Sequence, residues 1–476
     1  MKSLFLNPIK YIALALALAV TVSSCKDKDD DDPEPTPVVK AKMDTLTIVS
    51  SSRTLSKDTI YILSGFVYVE NGATLTIPAG TIIKGDKASM GTLIVERGAK
   101  IMAEGTKEQP IVFTSAVAKN GRESGDWGGV VICGKAKANP TTTPKVEGGP
   151  RSEYGGTDDA DNSGILKYVR IEFPGFPFQP DKEINGLTLC AVGSGTVIEN
   201  IQVSYSNDDS YEFFGGTVNC KNLIAYKGID DEFDTDYGYS GKVQYALGIR
   251  DYREADISGS NGFESDNDGD ASSNTPMTTC VFANVSLIGP LDTLAKSISG
   301  DYKHGLHMKK NTKLSIYNSV IAGWSIGVNI DGETKAWANA KSGDLNIKYC
   351  AIAGCKTKTA VASGTPTDVN YTAAGLETFL TDNDNTFYAT TDDIKIRKSF
   401  ANIRTKGTDG KFSEKENATI TLKPEAGSAL LSGANWSDSK VSTWFTKETF
   451  IGAFGATDWT EGWANWSPNS TDYTKE

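Results

Sequence analysis

Short apolar runs return along this chain at offsets of 22 to 34 residues, and that recurrence limits the fold more than any other feature. "VENGATLTI" at 69–77 comes back as "VERGAKIMA" at 95–103, and "LSIYNSVIAGW" at 314–324 as "LNIKYCAIAGC" at 345–355. Between them lie "IENIQVSYS" from 198, "CKNLIAYKG" from 220 and "CVFANVSLIG" from 280. Each run alternates apolar and polar residues, carries Asn200, Asn222, Asn284 or Asn318 at a similar place, and ends in a turn. Runs of this length, rich in Val, Ile and Thr and bounded by Gly and Asn, read as strands. A sandwich would supply short strands but not motifs recurring at coil length. The expectation is an all-β, right-handed parallel β-helix with three strands per coil and equivalent residues stacked about 4.8 Å apart. Stacked asparagines would then form a hydrogen-bonded ladder at a turn.

An elongated solenoid also accommodates 476 residues, which exceed what one compact core holds. The solenoid is expected over 45–425. Its ends need cover, since an open rung is an exposed sheet edge. Trp436, Trp444, Trp459, Trp463 and Trp466 all fall in the last 41 residues, so 426–476 is expected to be an aromatic cap. A sugar-stacking platform is the competing use of those rings.

The chain begins with a targeting pattern. Lys2 and Lys10 accompany the apolar run "IALALALAVTV" at 12–22, which is too short to span a bilayer comfortably. It ends in "VSSC", so residues 1–24 read as a lipoprotein signal and Cys25 as the lipidated N-terminus of an outer-membrane, surface-exposed protein. "KDKDDDDPEPTPVV" follows and makes 25–44 an acidic, proline-rich tether that stays solvated. Losing the leader's two lysines takes the formal charge from −12 to −14. That balance excludes nucleic acid as a partner and favours cations or neutral ligands. No zinc-type CxxC occurs, and Cys133, Cys190, Cys220, Cys280, Cys350 and Cys355 mostly sit in apolar stretches. Free buried thiols are the expectation.

Carboxylates recur with the coils. "NDDSYEFFGG" at 207–216 and "IDDEFDTDYG" at 229–238 align at 22 residues, and "NGFESDND" from 261 is a looser third copy. Residues two apart on a strand share a face. Glu232, Asp234 and Asp236 are therefore placed on one face, with Phe233 inward. Across coils, Glu212, Asp234 and Glu264 should form one column and Asp236 and Asp266 its neighbour. Bare carboxylates about 4.8 Å apart repel by roughly 3.5 kcal/mol at an effective dielectric of 20, so a cation, a basic side chain or protonation must compensate. An all-oxygen cluster suits Ca2+. "DNDGD" at 266–270 adds Asp268 and Asp270 at the spacing of a calcium turn, although such residues also make plain β-turns.

"SGDWGGVVICGKA" at 124–136, "EINGLTLCAVGSGT" at 183–196, the two acidic motifs, "SGSNGFESDND" and the "GAFGATDWTEGW" ending together resemble a family of secreted and surface β-helix proteins of Bacteroidota. The resemblance covers nearly all of 45–470. It implies the fold and the surface location, and it implies no reaction.

Enzymes of this shape cleave polysaccharides on such a face, with paired aspartates in hydrolases or calcium and a basic residue in lyases. Asp209, Asp231, Asp234 and Asp236 could supply an acid–base pair, and Lys242 or Arg250 a base. His304 and His307 stand three apart, so alternation puts them on opposite faces. No P-loop, dinucleotide fingerprint or nucleophile elbow occurs. The leading expectation is a surface lipoprotein that binds a glycan, a cation or a protein partner along the acidic face. A polysaccharide lyase or glycoside hydrolase is the alternative.

Overall fold

The computed structural model describes residues 42–474 except 180–181, 333–334, 363–367, 409–411 and 418. The signal, Cys25 and most of the tether lie outside the described residues. The chain is a right-handed parallel β-helix. One wall is a ten-stranded sheet of short rungs, among them Leu187–Cys190, Tyr211–Phe214, Phe233–Asp236, Phe263–Ser265 and His304–Met308. The other two walls form one bent seventeen-stranded sheet, because strands such as Asn219–Tyr226 and Lys242–Ile249 run through both. Every pairing between rungs is parallel.

The bend between those two walls falls where the asparagines recur. Tyr168, Asn200, Asn222, Tyr245, Asn284, Asn318 and Tyr349 all have φ between 49° and 63°. They follow one another in register from coil to coil. Asparagine enters the left-handed region more readily than most residues, so it turns a strand without a glycine. The expected ladder is not made here. Among the described residues no hydrogen bond joins one of these asparagines to the next, and tyrosine takes the place at three coils.

Inside, alternate residues stack in columns. Tyr211, Phe233 and Phe263 lie ring over ring at 5.3 and 5.2 Å, all fully buried. The six described cysteines are free, five of them buried. Among the described residues α-helix is confined to two short segments, Ala336–Ser342 and Ala373–Asp382. The second packs against the last rung of the ten-stranded wall, Thr357–Ala360, and buries Leu376 and Leu380 in the main core.

The C-terminal tryptophans do not sit on that end. Residues 435–473 form a strap that runs back along the outside of the bent sheet towards the first coils. The Asn318 amide bonds both the N–H and the carbonyl of Asn435, at 2.8 and 3.0 Å. Gln244 does the same for Thr446 and Gln202 for Asn465. Trp463 is buried edge-on against Tyr168, with ring centroids 5.8 Å apart, and belongs to the outer apolar cluster of the sheet that includes Ile224, Leu247, Ile288 and Val320. Arg122 donates to the Pro468 carbonyl at 2.7 Å, and the Tyr473 hydroxyl meets buried Glu172 at 2.7 Å. The aromatic segment thus covers a lateral face rather than the last coil.

Candidate functional site

The ten-stranded wall carries the acidic face. Thr188, Glu212, Asp234, Glu264, His307 and Asn329 stand opposite one another on successive rungs, so the expected column of three carboxylates is present and is longer than expected. Asp236 stands opposite Phe214, and Asp266 begins the next turn, where its N–H donates to the Thr235 carbonyl at 3.0 Å.

A second column stands three residues before the first, at the corner where each rung begins. Asp209, Asp231, Asn261 and His304 occupy it. Asp209 Oδ1 accepts the N–H of Asp231 at 2.8 Å, Asp231 Oδ1 that of Asn261 at 2.5 Å, and Asn261 Oδ1 that of His304 at 3.1 Å. This is a side-chain ladder of the kind expected for the asparagines, built at another corner by other residues. Each coil therefore presents a corner group and a face group in the pattern x–3, x: Asp209 with Glu212, Asp231 with Asp234, Asn261 with Glu264, His304 with His307.

The two columns converge. Ligand atoms of Asp209, Glu212 and Asp234 lie within 4.8 Å of one another, and so do those of Asp231, Asp234 and Glu264 and of Asp208, Asp209 and Asp230. They line two adjoining clefts of about 650 and 340 Å³ that share Asp209, Asp230 and Ser258. Burial, followed by repulsion from neighbouring carboxylates, pushes Asp209, Asp231 and Asp234 well above the ordinary range. Burial likewise lifts Glu212, although a hydrogen bond with Asp209 opposes it. Asp236 is pushed up to about 7 by burial and by Asp266. Glu212 Oε1 and Asp234 Oδ1 are buried without a hydrogen-bond partner. Acceptor-only oxygens gathered at this spacing suit a hard cation, so the residues present fit a metal ion.

The array changes sign along its length. Lys309 pairs with Glu264 and Asp266, and Lys310 lies 3.0 Å from Asp266. His307 Nδ1 is 3.3 Å from Glu264. Burial alone would raise Glu264, but His307 and Lys309 outweigh it and hold the carboxyl at about 2. Glu264 therefore already has counter-charges, and Glu212 and Asp234 remain the less compensated members.

Several expected site residues are placed elsewhere. Glu232 is not on the face: its position starts the rung and points inward, fully buried, where the Arg250 guanidinium lies 3.2 Å away. Burial still lifts Glu232 to about 7 against that cation. Arg250 is buried too and donates to the carbonyls of Gly228 and Asn261 at 2.7 and 2.9 Å, so it braces the corner loops rather than offering a base. Lys242 begins a strand of the bent sheet, opposite Val281, away from the acidic wall. Asp268 accepts from the backbone of Asp270 and Ser272 at 3.1 and 2.8 Å, which makes "DNDGD" a capped turn, and Asp270 is exposed. The histidines, expected on opposite faces, have ring centroids 4.5 Å apart. Both histidines keep the x–3, x spacing of the earlier rungs, and Lys309 stands two residues beyond, as Asp236 and Asp266 do on theirs.

A family model described as a pectate-lyase-like β-helix domain matches residues 27–425. The chain belongs to that family. The match stops short of the strap, so the lateral cover lies outside the shared domain. Among solved structures, the crystal structure of pectate lyase Pel9A matches 84% of this chain and 88% of its own at 10% identity, with a TM-score of 0.30. No curated protein matches.

Proposed function

We propose that this pectate-lyase-like β-helix protein binds Ca2+ between Asp209, Glu212 and Asp234 and, through the bound ion, holds an extracellular glycan or an anionic protein partner along the groove. The observation that carries this reading is the pair of buried, unpartnered oxygens, Glu212 Oε1 and Asp234 Oδ1, within a convergent group of three carboxylates. A ligand with its own carboxylates would be repelled by the bare groove, and the cation reverses that sign. The protein is further proposed to be a surface lipoprotein of the resembled Bacteroidota type, held to the outer membrane through Cys25, which would put the groove in contact with extracellular polymers.

Calcium that binds only the folded chain adds RT ln(1 + [L]/Kd), about 2.7 kcal/mol at a hundredfold excess over Kd. The melting temperature of protein lacking residues 1–40 should rise with Ca2+ and fall with chelator, and Glu212→Gln with Asp234→Asn should blunt the response. Retention on a glycan array should follow the same dependence. A midpoint indifferent to both additions rules the cation out.

A second reading, polysaccharide lyase or hydrolase chemistry, draws on one observation: Lys309 and His307 stand at the far end of the same groove. Burial works against the Lys309 charge, but Glu264 and Asp266 outweigh it and hold its pKa above the usual lysine range. The resting side chain is therefore a paired cation rather than a base. Release of unsaturated or reducing ends from acidic polysaccharides would support this reading over binding alone.

A further inference from the structure

The hard-cation reading leaves the histidine rung unused. We propose that His304 and His307 form a second cation site, one that selects a borderline transition-metal dication of the Zn2+, Ni2+ or Cu2+ class. These are the only two histidines in the chain, and the fold places both on one rung. His304 sits in the corner column and His307 in the face column, the same pairing by which Asp209 and Glu212 converge one end away.

Three observations support it. First, both Nδ1 atoms are engaged. Asn261 turns its amide nitrogen towards Glu264, Asp231 and the Gly259 carbonyl, so its oxygen faces His304 Nδ1 at 2.8 Å and that nitrogen must carry the proton. His307 Nδ1 faces Glu264. A ligating histidine characteristically donates its other N–H to such a partner, which leaves the Nε2 lone pair for the metal. Second, the rings are correctly spaced. With a metal–nitrogen bond of about 2.0–2.1 Å a ring centroid lies roughly 3.2 Å from the ion, so two bound imidazoles have centroids about 4.5 Å apart at a ninety-degree ligand angle and about 5.2 Å apart at the tetrahedral one. The observed separation is 4.5 Å.

Third, the surroundings offer further oxygen donors. Asp209, Asp230, Asp231 and Asp234 line the same cleft. Lys309 is paired with Glu264 and Asp266, and Lys303 donates to the Gly300 carbonyl at 2.8 Å. Nitrogen donors then separate this site from the all-oxygen cluster, since imidazole favours Zn2+, Ni2+ and Cu2+ and carboxylates favour Ca2+.

The test uses the full chain without an affinity tag, stripped with chelator and held in excess Ca2+ so that the oxygen cluster is saturated. Cu2+ is added and its electron spin resonance and spin-echo modulation are recorded. Two imidazoles should be seen, and no other residue can supply them. Titration with Zn2+ should give one site per chain, and His304→Ala or His307→Ala should each weaken it by about tenfold or more. The calcium-dependent melting shift of each variant reports separately whether the protein folds and whether the oxygen cluster binds. An oxygen-only spectrum, a single imidazole, or Zn2+ affinity unchanged in the double variant overturns the proposal, whatever calcium does.

Discussion

Glu232 and Asp234 are two residues apart and chemically alike, yet one is buried against Arg250 and the other faces the groove. Period-two alternation held within each rung, which is why the Glu212, Asp234 and Glu264 column was legible in the sequence. It failed at the rung's first residues, where the chain turns a corner and both the inward Glu232 and the groove-facing Asp231 are set by backbone direction. The partners of these carboxylates were illegible for another reason. Arg250 arrives from the opposite sheet, and a 43-residue interval between Glu264 and His307 hides the histidine rung from a search at coil length. The pKa shifts have a direct consequence for stability. Asp236 and Glu232 sit at about 7 when folded, against roughly 3.9 and 4.3 in an unfolded chain. Between those values the folded state holds protons that the unfolded state releases, so their contribution is fully present below about pH 4 and is lost as pH rises towards 7. Glu264, held at about 2, works the other way and costs stability only as pH falls below about 4. In chelator, the melting temperature should therefore decline from pH 5 to pH 7. Asp236→Asn should flatten that decline, and a midpoint that climbs over the interval would show that these carboxyls are not protonated in the fold.

At the scale of elements, the recurring asparagine marks the place where one strand becomes two walls. Its position was readable from spacing alone, but its task was not, because a left-handed corner and a hydrogen-bonded ladder both favour asparagine. At Asn284 and Asn318 the corner amide is also used by the strap. Asn284 donates to the Phe450 carbonyl at 3.0 Å, and Asn318 makes its paired bonds to Asn435. Replacing Asn318 by Ala keeps a residue at φ 51° without local hydrogen bonding and removes both contacts. A left-handed non-glycine residue costs about 1–2 kcal/mol and each lost net hydrogen bond about 1 kcal/mol. Asn318→Ala should therefore lose roughly 2–3 kcal/mol in urea unfolding. Asn318→Gly, which relieves the backbone and loses only the amide, should recover about half of that. Equal losses for the two variants would mean that the corner carries no strain.

On the scale of the molecule, a solenoid is quasi-one-dimensional: each coil touches its neighbours, and unfolding can begin at an end and spread. The strap changes that connectivity. It bonds the coils of Asn318, Gln244, Ser286, Gln202 and Glu172 through Asn435, Thr446, Ala453, Asn465 and Tyr473, so residues separated by more than a hundred positions share one lateral cover. Losing any coil would loosen a cover that the other coils also need, and the outer apolar cluster around Leu247, Ile288 and Val320, which residues 394–430 also cover, would lose Ile451 and Phe454. The intact chain should accordingly melt as a single transition, with calorimetric and van't Hoff enthalpies equal. Gln202→Ala with Gln244→Ala removes four side-chain bonds to the strap without touching the inner core. That variant should show two transitions, or a calorimetric enthalpy well above the van't Hoff value, with the acidic groove still responding to Ca2+ in whichever transition contains Tyr211–Phe214. A variant that remains two-state would place cooperativity in the stacked interior, where Tyr211, Phe233 and Phe263 join three coils directly, and would reduce the strap to a lid over apolar surface.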